Sequence, residues 1–187
     1  MKKLVFSAIA LCLVLNLSAQ KFFTKDAKIN FDATNASSPE KITAVNPKGT
    51  LVIDGATGKM EAAVLVKGFR FEKALMEEHF NENYMESNKF AKATFAGDVV
   101  DFKKNVNLTK DGDYTATVKG KLTMHGITKD VETKGVITVK GGKITASKSS
   151  FKAPLADYKI DIPSVVRDKI GNDAKIDISG TLQPLAK

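Results

Sequence analysis

Over most of the chain, apolar side chains recur at every second position. They fall at Ala27, Ile29, Phe31 and Ala33, at Met60, Ala62, Val64 and Val66, and at Tyr114, Ala116, Val118, Leu122 and Met124. Successive side chains of an extended strand point to opposite faces, so each run predicts a strand with one buried face. Further runs follow at Ala91–Phe95, Val131–Val139, Ile144–Phe151 and Ala174–Leu182. Gly55–Gly58, Lys110–Asp113 and Lys140–Gly142 separate them and supply the glycines that a reversing hairpin needs. About eight strands joined by short turns predict an antiparallel meander, and closing such a sheet removes its free edges. The expected fold class is mainly β: an eight-stranded antiparallel barrel with one or two short helical insertions.

Two segments break the alternation. From Glu72 to Ser87 the apolar residues Leu75, Met76, Phe80, Tyr84 and Met85 follow the spacing of one helical face, with Glu77, Glu78, Asn81 and Glu82 between them. From Ile162 to Gly171, Pro163 suits a first helical turn, and Val166 and Ile170 share a face. This predicts one or two short capping turns. The polar span Thr34–Lys41 reads as the most flexible loop.

The first residues alter the meaning of the composition. The chain has 187 residues, room for one domain, and a formal charge of +8. Lys2 and Lys3 precede an apolar run, Leu4–Leu17, that ends at the small residues Ser18 and Ala19. At 14 residues the run is shorter than the roughly 20 of a spanning helix. Residues 1–19 are therefore expected to be a cleaved secretory signal, with an uncleaved membrane anchor as the alternative, and residues 20–187 to be a single exported domain, periplasmic or secreted. Cleavage would leave 27 basic against 21 acidic side chains, a charge of +6. It would also remove Cys12, the only cysteine, and with it disulfide and thiolate chemistry.

Catalytic patterns are scarce. His79 and His125 lack HxH or HExxH spacing, and no GxSxG elbow, P-loop or GxGxxG is present. Glu77 and Glu78 are neighbours on a helix and point about 100° apart, as on a solvated face. The lysines are dispersed and aromatics are 7% with no Trp, which argues against a nucleic-acid partner. No enzyme activity and no cofactor are expected. A mild attraction to an anionic membrane surface is compatible with the charge.

Apolar side chains concentrate in the two irregular segments. They either finish the core or line an apolar cavity, because an eight-stranded barrel has room for one small ligand. The cavity and lid candidates are Phe69, Phe71, Leu75, Met76, Phe80, Tyr84, Leu122, Met124, Phe151, Leu155, Tyr158 and Ile160, with His79 and His125 as polar contacts.

Three stretches carry a resemblance to a known family. They are Phe69–Phe95, with its helix, histidine and aromatic strand; Gly120–Lys129 (GKLTMHGITK); and Asp157–Val166 (DYKIDIPSVV). Together, over roughly Phe22 to Leu182, they resemble the YceI-like family of exported lipid-binding and polyisoprenoid-binding proteins. The resemblance implies a lipocalin-like barrel whose long internal cavity holds a long-chain isoprenoid or other amphipathic lipid. The stretches Lys28–Ala33 and Ala153–Tyr158 depart from the histidine and arginine that many members carry there, so no head-group contact is carried over. The expected function is a non-catalytic carrier for a polyisoprenoid or isoprenoid quinone. The alternatives are a solid-cored interaction module of the cell envelope, and an enzyme of lipid-like substrates using His79 or His125.

Overall fold

The structure, a computed structural model, describes residues 20–185; the expected signal segment and Cys12 lie outside the described residues. Eight long strands are β1 (Lys21–Thr34), β2 (Thr43–Asp54), β3 (Lys59–Leu65), β5 (Lys92–Val99), β6 (Gly112–Met124), β7 (Ile127–Lys140), β8 (Lys143–Pro154) and β9 (Ile170–Thr181). Two-residue strands β4 (Arg70–Phe71) and β10 (Gln183–Pro184) add to β2 and β1. Every long strand pairs antiparallel with its neighbours, and β1 bonds both β9 and β2, which closes the barrel. The expected fold is the observed one.

Hairpin chemistry sets the register. Between β6 and β7 lie only His125 and Gly126, at φ 50° and 74°, and between β7 and β8 only Gly141 and Gly142, at 57° and 75°. Paired positive φ values suit the right-handed twist of the flanking strands. Glycine serves close approach in the wall, where Gly97 faces Gly120 across β5 and β6. A Cβ on Gly120 would stand 2.6 Å from both the Gly97 Cα and the Phe95 ring.

One strand has no counterpart among the runs read from the sequence. β2 contains Pro47, Lys48 and Gly49, with two residue types that commonly interrupt strands, yet it continues through them. The pairing slips between Thr24 and Ala27 and again before Ile29, so that Gly49 faces Ala27 and Asn46 faces Ile29. The bulge absorbs the proline, and Asn46, 1% exposed, donates to the Leu65 carbonyl at 2.9 Å.

Both helical insertions lie at one end of the barrel. α1 (Ala74–His79) widens over Phe80–Tyr84, where the Met85 N–H donates to the Phe80 carbonyl five residues back. The segment 155–169 makes two tight helical turns, Leu155–Tyr158 and Ser164–Val166, while Gly171 belongs to β9. The opposite end is closed by α2 (Phe102–Asn105), which the periodicity did not predict, with Phe102 and Val106 buried beneath it. The core accordingly has two clusters, one around Ile53, Ile137 and Ile144 at the closed end and one around Phe69, Phe80 and Tyr158 at the mouth.

Candidate functional site: an apolar interior open at one end

Three voids follow one another down the barrel. The first, about 200 Å³, lies at the mouth among Phe71, Met76, Phe80, Tyr84, Leu155, Ile160, Ile162 and Ile170, with Glu40, His79 and Lys169 as its charged or polar edge. The second, about 80 Å³, lies among Ile29, Leu51, Phe69, Phe95, Leu122 and Ile176. The third, about 60 Å³, reaches Met60, Val118 and Ile137. Phe31, Phe80, Met85 and Met124 border both the first and the second, and Leu51, Leu122 and Phe151 border both the second and the third. The interior is thus a series of compartments where the resemblance implies one long cavity. The partitions are side chains, two of them the flexible, unbranched Met85 and Met124.

The aromatic partition is built from three elements. Phe31 of β1 meets Phe80 at a ring-centroid distance of 5.4 Å, and Phe80 meets Phe69 at 5.6 Å and Phe71 at 5.0 Å. Most of these contacts are edge-on or tilted, the geometry that aromatic quadrupoles favour. Alternation along β1 points Phe31 inward, whereas Phe80 arrives from α1's wide turn, which brings the ring over the barrel axis.

Eleven of the 14 candidate residues line these voids: Phe71, Met76, His79, Phe80, Tyr84, Met124, Leu155 and Ile160 at the mouth, and Phe69, Leu122 and Phe151 deeper. Leu75, Tyr158 and His125 do not. Leu75 is one residue off the inward face of α1 and is 61% exposed. Tyr158 is packed in the core behind the void, where burial pushes its phenol above the ordinary value, with Asp157 adding to the rise. Burial also raises the Tyr84 phenol. Lining residues absent from the sequence candidates include Phe31, Ile42, Phe95 and Ile178. Alternation within their strands was the signal for Phe31 and Phe95.

His125 instead fastens the mouth. Its Nδ1 donates to the Tyr158 carbonyl at 2.9 Å, and its Nε2 lies 2.8 Å from Glu86 Oε2. Phe90 covers the imidazole edge-on at 4.7 Å. One turn residue therefore ties β6–β7 to both helical segments. His79, on the exposed rim, accepts from the Asn83 amide at Nδ1, 3.1 Å away. Among the described residues no group of three or more His, Cys, Asp or Glu comes together as a metal site would need.

A second fastening lies across the rim. Glu40 accepts from Lys73 at 2.5 Å and from Lys169 at 3.2 Å, linking the 35–42 loop to α1 and to the 155–169 segment. Hydrogen bonding from Lys73, then from Lys169, holds the Glu40 carboxyl below its ordinary value. Asn35 adds a bond from its amide to the Arg167 carbonyl at 2.7 Å, so the loop read as flexible is pinned at both ends.

Solved structures share this architecture. A polyisoprenoid binding domain from Saccharophagus degradans, implicated in plant cell wall breakdown, is 13% identical, covering 89% of this chain and 99% of its own, with a TM-score of 0.72. Burkholderia cenocepacia BcnA is 12% identical over 83% of this chain and 96% of its own, TM-score 0.63. The Campylobacter jejuni YCEI protein is 16% identical over 82% and 90%, TM-score 0.60. At these identities the likeness shows the fold. No curated protein matches the chain. The sequence profile of the YceI-like domain matches residues 18–182, and with the closed barrel this establishes that the chain belongs to the YceI-like family.

Proposed function

We propose that the protein is an exported, non-catalytic carrier or sequestering protein that holds the tail of a polyisoprenoid, an isoprenoid quinone or a similar amphipathic lipid in the barrel. The observation that carries this reading is the serial arrangement of largely apolar voids from an open mouth inward, with charged groups confined to the rim. A tail entering them leaves water at about 25 cal/mol per Å² of apolar surface buried, so a few isoprene units supply enough driving force. Loading requires Met85, Met124 and the Phe80 ring to turn aside and join the compartments. Membership of the YceI-like family and the polyisoprenoid binding domain among the structural neighbours support the ligand class. Removal of residues 1–19 on export is part of the same reading.

Native mass spectrometry and lipid extraction of protein purified from its own host test it. The expected result is a stoichiometric co-purifying lipid with an isoprenoid tail. Consistent recovery of lipid-free protein that also refuses added isoprenoids overturns it.

The partitioning favours one rival, a barrel that serves as a solid interaction module of the cell envelope. That reading requires the partitions to stay closed. Isoprenoid alcohols would then leave the side-chain NMR signals of Met85 and Met124 unmoved.

A further inference from the structure

We propose that the barrel limits the length of the tail it holds: it seats about three to four isoprene units and excludes long polyprenyl chains, because its interior ends on a fixed floor. The proposal rests on the carrier reading above and narrows its ligand class.

Two kinds of wall bound the interior. The partitions near the mouth are Met85 and Met124, unbranched and flexible, and the Phe80 ring, carried on the wide helical turn. The floor is different. Ile53, Ile137, Val139 and Ile144 are at most 1% exposed and belong to one packed cluster. All four are branched at Cβ and so are held to few rotamers. Ile137 borders the third void, while the other three lie beyond it toward the closed end.

α2 seals the barrel beneath them, with Phe102 and Val106 buried. Backbone bonds fix the approach to this helix: the Val99 N–H donates to the Gly58 carbonyl at 2.9 Å and the Val100 N–H to the Thr117 carbonyl at 2.8 Å. The Asn105 amide donates back to the Val100 carbonyl at 2.8 Å. Phe102 fits without slack against the β2–β3 turn, since a Cβ on Gly58 would stand 2.5 Å from the Phe102 Cβ. An entering tail can turn a methionine aside, but to pass the floor it must open strand pairing and the α2 bonds.

Depth and volume give similar lengths. Met124 and Ile170 border the mouth void, and Ala116 and Ile178, each eight residues away on the same strand, border the third. At about 3.3 Å per residue and a strand tilt of about 40°, each separation spans roughly 20 Å along the barrel axis. An extended isoprene unit has four chain bonds of about 1.5 Å and is about 5 Å long, so about four units match that depth. Volume sets the lower figure. The voids measure about 200, 80 and 60 Å³. An apolar cavity of about 150 Å³ takes one benzene, and at that density the three voids take about 14 carbons, close to three units.

Selection follows from where a surplus would go. Units that cannot pass inward stay outside the mouth in water, each weakening binding by about tenfold or more.

In the test, the protein is incubated with phosphatidylcholine vesicles that hold equimolar geraniol, farnesol, geranylgeraniol and solanesol, alcohols of two, three, four and nine isoprene units. It is then separated by gel filtration and extracted. Vesicles already shelter every tail from water, so the competition reads the units that the barrel leaves exposed. Farnesol and geranylgeraniol should be recovered, with solanesol at about one hundredth of farnesol or less. Ala116→Leu fills the third void from a strand position and should lower geranylgeraniol relative to geraniol by about tenfold. Solanesol recovered on a par with farnesol, or a ratio unmoved by the variant, overturns the length limit and leaves the carrier reading standing. Recovery of none of the four alcohols overturns the carrier reading and the limit with it. If Ala116→Leu fails to fold, the solanesol ratio of the unsubstituted protein decides the question.

Discussion

Phe80 joins packing to access, because it is 6% exposed and forms part of the wall between the two outer voids. Removing the ring deletes its contacts with Phe31, Phe69 and Phe71 and leaves a cavity that the stiff strands around it cannot collapse. Phe80→Ala should lower the unfolding free energy by about 3–5 kcal/mol, read as a reduced urea midpoint at unchanged slope, and Phe80→Leu by clearly less. An equal loss for both would mean that ring shape, and not cavity volume, dominates. At the rim, Glu40 adds a pH dependence whose sign follows from its environment. A carboxyl whose folded-state pKa is lowered contributes stability that is present above its unfolded value, near 4.5, and is lost as pH falls through the folded value. The melting-temperature gap between the unsubstituted protein and Glu40→Gln should therefore be largest near neutral pH and shrink between about pH 5 and pH 3. A gap independent of pH would show that the two lysines do not act through the charge of Glu40.

Among the elements, the latch formed by His125 is the most specific. Its φ of 50° is tolerated by a short polar residue in a two-residue turn, so asparagine can hold the turn while losing the reach to Glu86 and Tyr158. His125→Asn should cost about 1–2 kcal/mol, at the lower end for a buried contact because the Glu86 side chain is 44% exposed. Faster amide exchange in 155–160 with the β6–β7 hairpin still protected would confirm that the loss is in the latch; exchange throughout the hairpin would place it in the turn. The GKLTMHGITK stretch was recognisable in the sequence, but the partners of its histidine were not. They lie 39 and 33 residues away, on connections whose path depends on the closed barrel. The same limit explains β2, where Pro47 and Gly49 carry local turn signals that a bulge against β1 overrides. It explains α2 as well, since Phe102–Asn105 is four residues long and shows no period. Stretches with clean alternation, such as β6 and the Ala27–Ala33 part of β1, were legible because one buried face is enough to specify them.

For the whole molecule, the open question is whether an interior divided into voids of about 200, 80 and 60 Å³ is a poorly filled core or a closed carrier. Composition could not separate the two, because 43% apolar residues serve either. The distribution of polarity separates them better: charged side chains are kept to the rim, while the flexible methionines sit at the first partition. A core selected only for stability would gain from filling these voids, at about 24 cal/mol per Å³ of cavity. Leaving them open costs stability, which a bound apolar tail would restore. Farnesol, a three-isoprene alcohol, at a hundredfold excess over its dissociation constant should raise the unfolding free energy by about 2.7 kcal/mol, visible as a higher melting temperature. Val166 borders the mouth void on the short turn Ser164–Val166, so Val166→Trp can place an indole in the entrance without touching a barrel strand. The variant should melt at or above the temperature of the unsubstituted protein and should no longer respond to farnesol, whereas Leu75→Ser should respond in full. If the unsubstituted protein itself shows no response, the voids are packing defects and the barrel acts through its outer surface. If the Trp variant responds equally, the ligand enters elsewhere than through the mouth.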